Sequence, residues 1–390
     1  MRWPMASIES IKSDQRYSLV GGPFGSELTQ RDYVDDGVPV IRGANLPDDQ
    51  GFLDDNFVFV REDKADSLAG NLAFPGDVVF TQRGTLGQVG LIPTDAKYRR
   101  YVVSQSQMKL TVANDLADAA FVFYWFRTSL AIATIKNRAL ASGVPHINLG
   151  ILRDLTLPLP PLDSQRRAVA FLRSYDDFIE NNRRRMALLE EAARLLYQEW
   201  FVRLRFPGHE HGRAASGVPP GWERVPLESA LVLQRGFDLP VQSRHDGDIP
   251  IFGSTGIVGH HNQAKAKGPG VVTGRSGTLG EVHFCPSDCW PLNTALWVRE
   301  FRRVSPFFAV LLLRQMDLAQ FNSGVSVPTL DRKAVHRVGI LIPPPRLVEQ
   351  FDRHVAPLFE QIDTLNRLSQ KLRAARDLLL PRLMSGEIEV

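Results

Sequence analysis

The chain has 390 residues, 46 Lys and Arg against 43 Asp and Glu, and a net charge of +3. That length suggests two to three domains, and the balanced charge leaves any nucleic-acid face to local clustering. No run approaches 18 uncharged apolar residues, the first residues lack the apolar core of a secretory leader, and the two cysteines, Cys285 and Cys289, make no disulfide framework; together these fit a soluble chain in a reducing cytoplasm.

In chain order, short β-like runs at Phe57–Val60 and Val78–Phe80 alternate with Gly, Pro, Asn and Asp punctuation. A helix-like aromatic stretch runs from Ala119 to Leu130, and Leu157-Pro-Leu-Pro-Pro161 stops the region. Apolar residues then recur at Leu172, Tyr175, Ile179, Met186, Leu189, Ala193, Leu196 and Trp200, with Asn182 the one polar residue in the seam. Intervals of three and four predict a long heptad helix. Asn182 reads equally as a register device or as a solvated position. Phe206 to Gly221 carries Gly, Pro and His without periodicity and predicts a surface linker, with Trp222 opening the next core.

The elements then repeat. Val271-Val272 is β-like, Pro306 to Met316 is helix-like, and Leu341-Ile-Pro-Pro-Pro345 is the second stop. A second seam runs through Val348, Phe351, Val355, Leu358, Ile362, Leu365, Leu372 and Leu379, with polar Ser369 and Arg376. Pro357 is expected to kink or restart this helix. Sequence blocks repeat in the same order. Gly84-Thr-Leu-Gly87 recurs as Gly277-Thr-Leu-Gly280, Pro39-Val-Ile41 as Pro250-Ile-Phe252, and Ser142-Gly-Val-Pro145 as Ser323-Gly-Val325, with Val327-Pro328 just after. This is an internal duplication. Two heptad helices in one chain most simply pair with each other, and the second half folds between them.

No P-loop, no dinucleotide fingerprint and no nucleophile elbow occurs. Asp48, Glu62 and Lys64 imitate a nuclease pattern that could hold Mg²⁺ and activate water. They are kept as the alternative function, a stand-alone Mg-dependent nuclease, although a charged surface loop explains them better. His260, His261, His283, Cys285 and Cys289 are close in sequence, but their spacing is poor for zinc and the first half has no counterpart. The Gly-Thr-Leu-Gly loops either bring backbone and Arg to a phosphate or are plain turns.

The duplicated order, both helices and the C-terminal Leu378-Leu-Leu-Pro381-Arg-Leu-Met-Ser385-Gly-Glu-Ile-Glu-Val390 resemble the specificity (S) subunits of type I restriction–modification systems. One departure is Leu162-Asp-Ser-Gln165, where the family's usual pattern ends in Glu-Gln. Another is the two extra residues before Glu349-Gln350, which leave the start of the second helix open.

The resemblance implies an α+β fold: two pseudo-symmetric β-rich target recognition domains separated by two long helices that form an antiparallel coiled coil. On this sequence the boundaries are recognition domain 1 at 1–162, first spacer helix 163–206, linker 207–221, recognition domain 2 at 222–345, and second helix with tail 346–390. It implies a non-catalytic chain without its own cofactor. S-adenosylmethionine, ATP and Mg would belong to partners: methyltransferase (M) subunits, two per chain, and a motor-nuclease (R) subunit, acting on double-stranded DNA in the cytoplasm. Polar residues suited to base edges or phosphates crowd the loop blocks. In the first half these are Arg42, Asn45, Gln82, Arg83, Thr85, Gln105, Gln107, Ser142, His146 and Asn148. In the second they are Ser254, Thr255, Arg275, Ser276, Thr278, Asn322, Ser323 and Ser326. Phe171, Tyr175, Phe178, Tyr197 and Phe359, on the helices, are the candidate contacts to M subunits.

Overall fold

A computed structural model describes residues 3–140, 144–211 and 218–389. The chain divides into two compact units, one of Met1–Asn181 with Leu368–Val390 and one of Asn182–Arg367. Both boundaries fall inside long helices, Leu162–Tyr197 and Pro345–Met384. Early residues of the first helix share a unit with late residues of the second, and the reverse holds in the other unit, so the two helices run antiparallel.

In the first unit, strands Leu19–Gly21, Gln107–Leu110, Val78–Thr81 and Val89–Leu91 form an antiparallel sheet in that order. A five-stranded sheet places Val38–Ile41 parallel to Tyr101–Val103. The second unit repeats the plan. Leu231–Arg235, Ala295–Phe301, Gly270–Gly274 and Val282–Cys285 form an antiparallel sheet with the same connectivity, and Ile249–Gly253 lies parallel to Trp290–Pro291. Each unit is closed by a strand pair ahead of its long helix: Met5–Ser7 with Thr156–Pro158, and Glu223–Pro226 with Gly339–Ile342. The fold is α+β, and the duplication read from the sequence is a duplication of topology.

One apolar helix fills each core. In Ala119–Phe126 every residue from Ala120 onward is buried, as a helix apolar all round must be. Asp118 caps it, accepting from the Ala120 and Phe121 amides at 2.8 and 3.1 Å. The helix is shorter than the sequence suggested. Thr128 adopts an extended backbone and caps a new helix, Ser129–Asn137, by accepting from the Ala131 amide, so the chain breaks between Phe126 and Ser129. The counterpart, Pro306–Gln315, starts from Ser305, which accepts from the Phe308 amide at 3.0 Å, with proline in the first turn where it loses no hydrogen bond.

The long helices bury the heptad seam. Leu172, Ile179, Ala193 and Trp200 are buried on the first, and Val348, Phe351, Val355 and Leu365 on the second. Each large apolar side chain so removed from water stabilises the fold by about 1.5–3 kcal/mol. Asn182 is buried at 6% exposure, which removes the solvated reading of that position. Gln165 anchors the start of the first helix: its amide donates to the Pro160 carbonyl at 2.8 Å and accepts from the Asp118 amide at 2.8 Å. The second helix does not restart at Pro357 but stays helical from Pro345 to Met384. Pro357 sits on the exposed side, and the lost hydrogen bond is outweighed by buried Val355 and Phe359 on either side of it. Trp222 is buried in the second core, in ring contact with Phe201 and Phe206.

Candidate nucleic-acid interface

The Gly-Thr-Leu-Gly motif is a turn set by two left-handed glycines. Gly84 and Gly87 have φ of 101° and 95°, and Gly277 and Gly280 have 92° and 93°. A Cβ at Gly87 would lie 2.9 Å from Ile132 Cγ2, so space as well as backbone excludes a side chain there. Leu86 points into the first core and Leu279 packs on the second, leaving Thr85 and Thr278 exposed. The Leu86 and Gln88 amides donate to Gly84 and Thr85 within the turn, so those two N–H groups are not free to cradle a phosphate.

Each turn is clamped between two other loops of its unit. In the first, the Gln82 amide donates to the Ser106 carbonyl at 2.7 Å and the Ile147 amide to the Gln82 carbonyl at 3.0 Å, with a bridge between Arg83 and His146. In the second, the Arg275 amide donates to Thr294 at 2.9 Å and the Leu330 amide to Arg275 at 2.8 Å, with a bridge between Ser276 and Thr329. The equivalence corrects the sequence register. Val144-Pro145 corresponds to Val327-Pro328, because Asn148 and Asp331, four residues beyond Val144 and Val327, both cap the short helix that follows.

This cluster brings together Gln82, Arg83, Thr85, Gln105 and His146 in the first unit, and Arg275, Ser276 and Thr278 in the second. Arg83 is exposed, with no hydrogen bond or ion pair to its guanidinium among the described residues. Gln105 braces the preceding loop by donating to the Leu28 carbonyl at 3.0 Å. The Arg275 guanidinium is held by the Asn293 carbonyl at 3.0 Å. Ser254 and Thr255 form the turn beside Gly277. Asn322 accepts from the Gly324 and Thr329 amides at 2.9 and 2.8 Å, and the Ser323 hydroxyl donates to the Thr329 carbonyl, so both fasten a loop on which Ser326 is exposed. The Asn148 side chain accepts from the Ile151 amide at 2.8 Å. Ser142 lies outside the described residues.

Several expectations need correction. Asn45 is 1% exposed and its amide donates to the Leu53 and Asp55 carbonyls, while its oxygen accepts from the Arg42 amide. Gln107 is fully buried against Ser104. Burial takes both side chains off any DNA face, and Arg42 is only half exposed. On the helices, Tyr197 and Phe359 belong to the second core, where Tyr197 packs on Phe308 and Phe359 on Phe284. Phe171 and Tyr175 pack on each other, half-buried, and Phe178 is the aromatic left exposed.

The nuclease-like residues are not assembled as a site. Glu62 pairs with Arg100, Lys64 pairs with Asp32 at 3.2 Å, and Asp48 lines a separate cleft. Among the described residues no group of three or more His, Cys, Asp and Glu is placed to hold a metal ion. No described helix is long and apolar enough to cross a membrane.

Sequence reasoning missed a charged group in the first unit. Tyr124 Oη donates to Asp176 at 2.6 Å, and Arg376 donates to the same carboxylate and to Asp377. Burial and Asp176 hold the Tyr124 phenol well above its usual range. Arg376 was visible only as an odd polar residue in an apolar seam. Also missed was Phe24, almost fully exposed on the loop that Gln105 braces; its Gly-Pro-Phe-Gly setting was the available signal.

Residues 32–191 match the family described as the type I restriction modification DNA specificity domain. The chain is 23% identical over 346 residues to the type I restriction enzyme MjaIX specificity subunit of Methanocaldococcus jannaschii, covering 81% of this chain and 79% of that one. It is 21% identical over 403 residues to the HindI specificity subunit of Haemophilus influenzae, covering 80% and 86%. Its fold matches a crystal structure of a type I restriction–modification S subunit from M. genitalium with a TM-score of 0.60, 16% identity and coverage of 98% and 96%. The fold is that of a type I S subunit, and the matched domain is described as a DNA specificity domain. Residues 32–191 thus carry the family's DNA specificity domain, and the chain is similar over most of its length to type I restriction enzyme specificity subunits.

Proposed function

We propose that this chain reads a bipartite, asymmetric double-stranded DNA site, one unit per half-site, for a type I restriction–modification complex. The carrying observation is the duplicated three-loop cluster: one backbone arrangement built twice, bearing Gln82, Arg83, Thr85 and His146 in one copy and Arg275, Ser276, Thr278 and Thr329 in the other. Like backbones with unlike polar groups suit two half-sites of different sequence. Recognition rests with regions 1–162 and 222–345. The helical regions 163–206 and 346–390 space them and dock two M subunits, with exposed Phe178 a contact, and 207–221 links the halves. An R subunit joins in the full complex.

The chain is a specificity subunit and not an enzyme. In this reading S-adenosylmethionine, ATP and Mg act in the partner subunits, and the complex works in the cytoplasm. The test is methylome mapping of a host expressing this chain with its M partner. A split motif is expected, and exchanging the loop residues of one unit should change one half of it. A continuous motif, or methylation unaffected by either cluster, would sink the reading.

A further inference from the structure

Building on that reading, we propose that a cleft in the first unit is a binding site for a DNA backbone phosphate. The cleft has a volume of about 430 Å³ and is walled by Asp48, by Thr85 of the glycine-bounded turn, by Arg127 and Lys136, and by Arg376 and Asp377 of the second long helix. The positive end of the nine-residue helix Ser129–Asn137 opens on it.

Two of its cations have no ion pair among the described residues. Arg127 stands nine residues after the cap Asp118. It donates to the Asp48 carbonyl and lies over the Phe123 ring, 5.0 Å from the centroid, with no carboxylate at ion-pair distance among the described residues. Lys136 is exposed and has neither a hydrogen bond nor an ion pair among them. The third cation, Arg376, is already matched by Asp176 and Asp377. Burial and the nearby Arg376 push the Arg127 pKa down, while Asp176, Tyr124 and Asp377 oppose the shift without cancelling it.

The second unit provides the internal comparison. Arg314 stands nine residues after the cap Ser305 in the equivalent helix. It donates to the Val282 carbonyl at 3.0 Å and lies 3.7 Å from Glu190 on the first long helix. Where that copy has a carboxylate at ion-pair distance, the first copy has none among the described residues and lies near Arg376, with Asp176 and Asp377 acting from further off. One version of the duplicated position is neutralised and the other is left cationic. A partly buried cation without a counter-charge at ion-pair distance is costly unless a ligand supplies the negative charge. Thr85 belongs both to the cleft and to the turn that displays Arg83, so an anion seated here belongs to whatever lies across the loops, and that is DNA. A phosphate bound here would position the duplex without reading sequence.

The experiment measures binding of motif-bearing duplex by the complex of the full chain with its M partner, from ~50 to ~200 mM salt. Lys136→Gln and Arg127→Gln are each expected to lower the slope of log K against log salt, and together by about 0.9 for the one phosphate, with the methylated motif unchanged. Lys136 has no internal contact to lose, so its variant decides the matter if Arg127→Gln folds poorly. An unchanged slope in Lys136→Gln overturns the proposal. Weaker assembly with the M partner at unchanged slope also overturns it and assigns the anion to an acidic side chain of that protein. Wild-type complex that binds all duplexes alike would instead bring down the recognition reading, and the phosphate site with it.

Discussion

Arg376, in the seam of the second long helix, donates to Asp176 of the first, and the Tyr124 hydroxyl donates to the same carboxylate from the core helix. One acid thus ties three elements of the first unit. Arg376 is only 5% exposed, so its charge depends on that acid and on the more exposed Asp377.

Asp176→Ala should therefore destabilise the chain by about 2–4 kcal/mol, because it strands a buried guanidinium and a buried phenol. The double variant Asp176→Ala with Arg376→Leu should recover much of the loss by making the seam apolar. Urea unfolding of the purified proteins measures both. Equal losses in the single and double variants would show that the pairing is not the cause.

Arg83→Ala should weaken DNA binding with no cost to stability, since its guanidinium has no internal partner. If Arg83 holds phosphate, the loss is uniform across sequences; if it reads guanine, one position relaxes by ~1–3 kcal/mol. Arg275→Ala should act on the other half-site, and it should also loosen the Asn293 loop that Arg275 holds. Binding assays over a panel of duplexes separate these outcomes. Unaltered binding in both variants would take the loops off the DNA face.

The second unit should lose stability on mild acidification. His336 is buried, and its Nε2 accepts from the Leu233 amide at 3.0 Å, which requires the neutral ring. Burial lowers its pKa, with Glu228 opposing and Arg332 and Arg302 assisting. A histidine lowered in the folded state takes up its proton more readily when unfolded. The stability it contributes is therefore full above about pH 6.5 and is lost as pH falls towards the folded value. His283, also lowered by burial, acts in the same sense. Urea midpoints at pH 7.5 and 5.5 should differ less in His336→Gln than in the wild type. An undiminished difference would mean His336 is not a contributor.

If the two helices set the half-site spacing, adding a heptad to both should widen the gap by about three base pairs, from roughly 10.5 Å of added helix. The insertions go after Leu189 and after Leu365, so that both seams keep register. The bases read should not change, because no loop is touched. Methylome mapping gives the gap directly, and an active variant with the old spacing would show that the helices are not the ruler.

The internal duplication, both heptad seams, the proline stops and the glycine-bounded turns were all legible in the sequence, because each depends on residues near one another in the chain. Left-handed backbone at Gly84 and Gly87 and apolar residues at three-and-four spacing carry the same meaning in most settings. The role of each polar loop residue was not legible. Asn45, Gln107 and Gln82 look alike as letters, yet two of the three are buried inside the protein. Tyr197 and Phe359 read as surface aromatics of a docking helix, but residues far along the chain cover them. Arg127 and Arg314 hold the same place in the duplication, and tertiary packing alone puts a carboxylate, Glu190, at ion-pair distance from Arg314 and none there for Arg127 among the described residues. Exposure and charge pairing are properties of long-range contacts, and no local spacing encodes them.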